Sequence, residues 1–150
     1  MAKKAVGCVW LQKTITLPAF HRGCHYITEH VQKAFPELKE ISIGIAHLTI
    51  QHTSASICLN ECWDRSVLED SEMLLNRIVP EGLNYRHICE GPDDMPGHMK
   101  ATLVGASLSI PITDGVFSLG TWQGLWLCEH RNRASGRKIV ITVQGSEKPA

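Results

Sequence analysis

Residues 51–61 crowd chemistry into a short stretch. It carries an imidazole (His52), three hydroxyls (Thr53, Ser54, Ser56), an amide (Asn60) and a carboxylate (Glu61) among apolar neighbours. A buried polar group without a partner costs about 1–3 kcal/mol, so such a stretch suits the wall of a cleft better than a core. Period-two counting brings His52 to a strand end on the face that carries Ala46, Leu48 and Ile50. Ser54, Ser56, Cys58 and Asn60 share one face of the next strand, with Ala55, Ile57 and Leu59 on the other. A core histidine bonded to a carbonyl would account for His52 alone, but the small polar face beside it points to a pocket. Glu61 and Asp64 follow at a strand-to-helix junction. Glu61 is read as a cleft-mouth general base or metal ligand, against a solvated loop carboxylate. Asp64 is read as a helix cap or a substrate contact.

His87 and His98 bracket a loop rich in Gly, Pro and Asp. With His52 they could supply the imidazoles of a metal site, Glu61 being a fourth ligand, although no H-x-x-x-H or H-E-x-x-H spacing marks one. The expected cofactor is a divalent metal, zinc or magnesium, and neutral imidazoles suit zinc. Further on, Gly120-Thr121-Trp122-Gln123 places an aromatic ring and an amide before a strand. They would either plug the sheet end or line a heterocycle. Glu129, His130, Arg131, Arg133 and Arg137 gather charge in the next turn, either as an exposed turn or as an anion clamp.

The elements that must hold these groups are legible from periodicity. Strands are expected at residues 9–17, 41–51, 55–59, 107–112, 116–119, 124–128 and 138–144. A short capped helix is expected from Thr28 to Pro36. The clearest helix runs over 64–79, where Val67, Leu68, Ser71, Leu74, Leu75 and Ile78 recur at helical spacing and Pro80 stops it. Residues 81–97 read as a long functional loop, and 99–105 as one or two helical turns. Strands, helix, strands without a βαβ rhythm indicate one α+β domain, a mixed or antiparallel sandwich-like sheet with two or three helices.

Composition narrows the function classes. Lys plus Arg number 15 and Asp plus Glu number 15, which argues against a general nucleic-acid binder. No apolar run reaches the ~18 residues needed to span a bilayer, so no membrane partner is expected. Lys3 and Lys4 are followed by no apolar leader, and a cytoplasmic protein is expected. The six cysteines form no C-x-x-C pair and read as reduced thiols.

Taken in order, these islands resemble the YjbQ (UPF0047) family. The resemblance rests on His47-Leu48 through Ser56, Asn60-Glu61 with Asp64, Asp70, Tyr85-x-His87, Gly91-Pro92-Asp93-Asp94-Met95-Pro96-x-His98, Gly105-x-Ser107, Gly120 to Gly124, Glu129-His130-Arg131 and the closing strand from Arg137 to Gly145. It implies an α+β sandwich-like domain, a homotrimer with polar groups near subunit boundaries, and secondary thiamine-phosphate synthase activity. That reaction condenses a pyrimidine diphosphate with a thiazole phosphate, so the expected partner is a small phosphorylated heterocycle. A non-catalytic trimer that binds a metabolite or metal is the alternative. Carried onto this chain, the resemblance implies His52, Glu61, His98 and Glu129 as catalytic groups and His52, His87 and His98 as metal ligands. It also implies Asn60, Trp122 and Gln123 as substrate contacts, to which the residue pattern adds Ser54, Asp64 and Arg137. Glu129 is preferred over His130 and Arg131.

Overall fold

The computed structural model describes residues 3–149. Eight strands form two antiparallel sheets. They are β1 (Val9–Thr16), β2 (Gly23–Tyr26), β3 (Ile41–Ile50), β4 (Ala55–Glu61), β5 (Ser107–Thr113), β6 (Val116–Phe117), β7 (Gln123–Glu129) and β8 (Lys138–Glu147). The larger sheet has the order β1-β8-β3-β5-β6 and the smaller one β2-β7-β4. Among the described residues there are also three α-helices, α1 (Thr28–Ala34), α2 (Arg65–Ile78) and α3 (Asp94–Val104), and a 3-10 turn at Pro36–Glu40. Among the described residues no helix is long and apolar enough to cross a membrane.

Alternation builds the main core. Ala46, Leu48 and Ile50 of β3, Ile110 and Ile112 of β5, and Ile139, Ile141 and Val143 of β8 turn one apolar face inward. They meet Ala55 and Ile57 of β4 and Leu125 and Leu127 of β7 from the smaller sheet. Each buried Leu or Ile is worth about 1.5–3 kcal/mol, so this face-to-face contact dominates the fold. The opposite face of the smaller sheet carries Cys24, Trp126 and Cys128, which pack under α2 with Leu68. Strand β7 is therefore covered on both sides, which explains its nearly unbroken apolar run.

The differences from the expected elements have local causes. Strand β2 is short and polar and occupies a sheet edge, so no periodic signal announces it. Helix α3 begins at Asp94, five residues before the expected start, and carries Pro96 and Gly97 in its opening turn. Proline is tolerated there because first-turn N–H groups have no partner within the helix. The loop that separates His87 from His98 is correspondingly shorter. Thr28 does not cap α1. Its hydroxyl instead accepts from the Leu125 N–H at 2.9 Å and ties the helix to β7.

Candidate functional site

The start of α3 gathers a group that the sequence shows only in part. Asp94 is almost fully buried at the mouth of the helix. One of its carboxylate oxygens lies 2.8 Å from His87 Nε2 and 3.4 Å from His98 Nε2. The two imidazole rings stand 5.3 Å apart. Asp94 and His98 are one helical turn apart on α3, while His87 enters from the preceding loop. The ligand atoms of the three side chains all lie within 4.8 Å of one another.

Neighbouring groups orient this triad. His98 Nδ1 faces the Thr53 carbonyl at 3.0 Å. A carbonyl only accepts, so Nδ1 donates to it, and Nε2 is the nitrogen turned toward Asp94. The Arg131 guanidinium takes the second Asp94 oxygen. It also donates from Nε to Asp93 at 3.1 Å and from Nη2 to the Glu90 carbonyl at 2.7 Å. Burial works against ionisation of Asp93, yet the Asn132 N–H and Arg131 outweigh it and hold its pKa below the usual range. Arg131 thus fastens the loop and the helix start together.

Beside the triad lies an open cleft of about 680 Å³, lined by His52, Thr53, His98, Ala101, Thr102, Gly105 and Ala106. A second hollow of about 310 Å³ reaches the triad from the His87 side, bounded by Tyr85, Ile88 and Pro92. The cleft therefore unites His52 with His98, as the convergence of distant imidazoles requires. However, both nitrogens of His52 are engaged. Its Nε2 accepts from the Lys138 N–H at 2.8 Å, and Nδ1 faces Arg137 Nη1 at 3.4 Å. Burial, and then the Arg137 charge, lower its pKa, so the ring is held neutral. The group that could hold a metal is His87, Asp94 and His98; His52 is outside it and offers no free lone pair as a base.

Glu129 and Arg137 form the buried support of this wall. Arg137 Nε and Nη2 grip the two Glu129 oxygens at 2.7 and 2.5 Å, and Nη2 also donates to the Ser54 hydroxyl at 3.2 Å. Glu129 is fully buried, so it balances the Arg137 charge and does not reach a substrate in the cleft. Ser54 and Arg137 likewise spend their polar atoms inside the protein. Arg131, and not Glu129, touches the triad.

The remaining expected residues sit at the other end of β4. Ala55 is opposite Glu129 in β7, whereas Glu61 is opposite Gln123. Six steps of about 3.3 Å make that separation roughly 20 Å. Glu61 Oε2 accepts from the Trp63 and Asp64 N–H groups and shapes the turn into α2. Asp64 caps α2 by accepting from the Ser66 N–H at 2.9 Å, and that contact holds its carboxyl pKa below the usual range. Asn60 Oδ1 accepts from the Glu61 N–H, Gln123 from the Gly120 N–H, and exposed Trp122 meets Trp63 edge to face. These five residues form a separate surface group and do not line the His52–His98 cleft.

Comparison with known proteins agrees with this fold. The family model described as UPF0047 protein YjbQ-like matches residues 13–146. The UPF0047 protein YjbQ of Escherichia coli O157:H7 is 45% identical over 137 residues, covering 91% of this chain and 99% of its own. A UPF0047 protein of Synechocystis is 36% identical over 135 residues, covering 89% and 91%. Among solved structures, a YbjQ-like protein of unknown function from Sulfolobus solfataricus superposes with a TM-score of 0.82 over 93% of this chain and all of its own. At 23% identity, that likeness speaks to the fold. A YjbQ/UPF0047 family protein from Clostridium acetobutylicum, 32% identical, superposes with a TM-score of 0.71 over 87% and 97%.

Proposed function

This chain belongs to the YjbQ-like UPF0047 family, and from that premise we propose that His87, Asp94 and His98 hold a divalent cation beside a cleft for a small phosphorylated heterocycle. The observation that carries this reading is the triad itself. Two imidazoles and a buried carboxylate converge, with one tautomer set by a backbone carbonyl. Two nitrogens and one oxygen suit zinc better than magnesium, which prefers an oxygen shell. The reaction class is the one the family resemblance implies, joining a pyrimidine diphosphate to a thiazole phosphate with release of diphosphate, in a homotrimer. A bound cation would supply Lewis-acid stabilisation of the departing diphosphate. The chain's own groups do the rest. Thr53 fixes the His98 ring, Arg131 holds Asp94 in place, and the Arg137–Glu129 pair presents His52 as a neutral cleft wall.

A second reading, non-catalytic binding of a metabolite or metal, is favoured by one observation. Neither His52 nor Glu129 offers the cleft a free base. The two readings separate in one series. Calorimetry with zinc should give one site per chain, lost in Asp94→Asn and His98→Ala, and thiamine phosphate formation should fall with it. Retained zinc binding in both variants would remove the triad from consideration. No product from the parent would leave only the binding role, and zinc binding lost with product formation unchanged would take the cation out of the reaction. Light scattering should report three chains per particle.

A further inference from the structure

Three cysteines converge on the helix-covered face of the smaller sheet, one from each strand. Cys24 of β2 is directly opposite Cys128 of β7, and their sulfurs lie 3.6 Å apart. Cys58 of β4 stands two residues from Ser56, the residue opposite Cys128, and therefore shares the same face. All three are free thiols. They border a small cavity of about 220 Å³ walled by Leu74, Leu75, Ile78, Val104 and Trp126. Cys24 and Cys128 are buried, while Cys58 is the partly exposed member.

We propose that this cavity is a thiol oxidation site in which Cys58 attacks an organic hydroperoxide and the oxidation ends as a Cys24–Cys128 disulfide. The Cys128 thiol beside Cys58 lowers the Cys58 pKa, and the thiolate is the nucleophilic form. Cys128 itself is pushed well above its ordinary value, by Cys24 first and then by Cys58 and burial, so Cys58 ionises first and Cys128 is the slower, resolving thiol, which attacks as its proton passes to the departing hydroxyl. The steps balance. The Cys58 thiolate takes the distal oxygen of ROOH and, with one proton, leaves ROH and a Cys58 sulfenic acid. The Cys128 thiol then displaces water from that sulfur, giving a Cys58–Cys128 disulfide. Residues on this diagonal are about 7–8 Å apart at Cα, at the limit for an unstrained bridge. Cys24 and Cys128 are directly opposite, about 4.5–5.5 Å apart, within the favourable range. Exchange by Cys24 therefore moves the bridge to Cys24–Cys128 and returns Cys58 as a thiol. In sum, two thiols and ROOH become one disulfide, ROH and water. The apolar walls favour an organic peroxide over hydrogen peroxide.

The test uses the full chain with Cys8, Cys62 and Cys89 replaced by Ser, treated with cumene hydroperoxide and mapped by mass spectrometry. The expected product lacks two hydrogens and yields a Cys24–Cys128 linked peptide. Cys58→Ser in that background should lose this oxidation, and Cys24→Ser should accumulate a Cys58 species that a sulfenic-acid-specific dione labels or that is linked to Cys128. A Cys58→Ser variant that oxidises as fast as its background would overturn the proposal, as would hydrogen peroxide outpacing cumene hydroperoxide. Should Cys58→Ser not fold, the otherwise unsubstituted chain is alkylated at limiting reagent. Cys58 must then react before Cys24 and Cys128, and the reverse order refutes the assignment.

Discussion

His130 offers the sharpest quantitative test of how the buried wall behind the cleft is built. Its ring is almost entirely inaccessible, with Nε2 at 2.5 Å from the Ser56 hydroxyl and no partner at Nδ1 among the described residues. Burial, then the nearby Lys100, Arg137 and Arg22 charges, lower its pKa from 6.5 to about 3. The unfolded chain protonates this ring below 6.5 while the folded chain does not. The unfolded state thus binds more protons between those values, and stability falls as pH drops through that window. At 1.36 kcal/mol per unit, the expected loss between pH 7 and pH 5 is about 2 kcal/mol from this group alone. His130→Gln removes the titration and leaves the other histidines in place. Urea unfolding of both chains at the two pH values should therefore show the parent losing about 2 kcal/mol more than the variant. Equal losses would mean that His130 titrates in the folded protein as it does in the unfolded chain, and that its neighbours do not exert the field described here.

The other predictions are simpler. Arg137→Met leaves Glu129 as an unpaired buried carboxylate and should cost about 3–5 kcal/mol in chemical denaturation, much of it recovered by adding Glu129→Gln. Asp64→Ala should lower the urea midpoint through loss of the α2 cap, with zinc binding and any thiamine phosphate formation unchanged. Arg131→Gln should weaken zinc binding without touching a ligand atom, by freeing Asp94 and the loop before α3; unchanged affinity in calorimetry would deny it that positioning role.

Much of this fold could be read along the chain because its core strands alternate cleanly. Ala46, Leu48 and Ile50 repeat at the sheet period, and α2 repeats at the helical one. The site was legible only in its imidazoles. Asp94 looked like one more loop acid, because Pro96 and Gly97 concealed that the helix had already begun. Nothing local distinguishes Arg131, which meets Asp94 across 37 positions, from the exposed charges of an ordinary turn. Glu61, Trp122 and Gln123 stand apart from the triad for a different reason. Their types suit chemistry, but strand length alone carries them to the far end of the smaller sheet.

The reach of Arg131 has a further consequence for how the triad comes into being. Asp94 receives its clamp from a residue placed beyond β7, so the proposed cation site is complete only after the smaller sheet has closed. A chain cut before residue 131 would retain both imidazoles and the carboxylate yet lack the strut that aligns them. Zinc affinity would therefore double as a gauge of late assembly, reporting on chain that supplies no ligand to the ion.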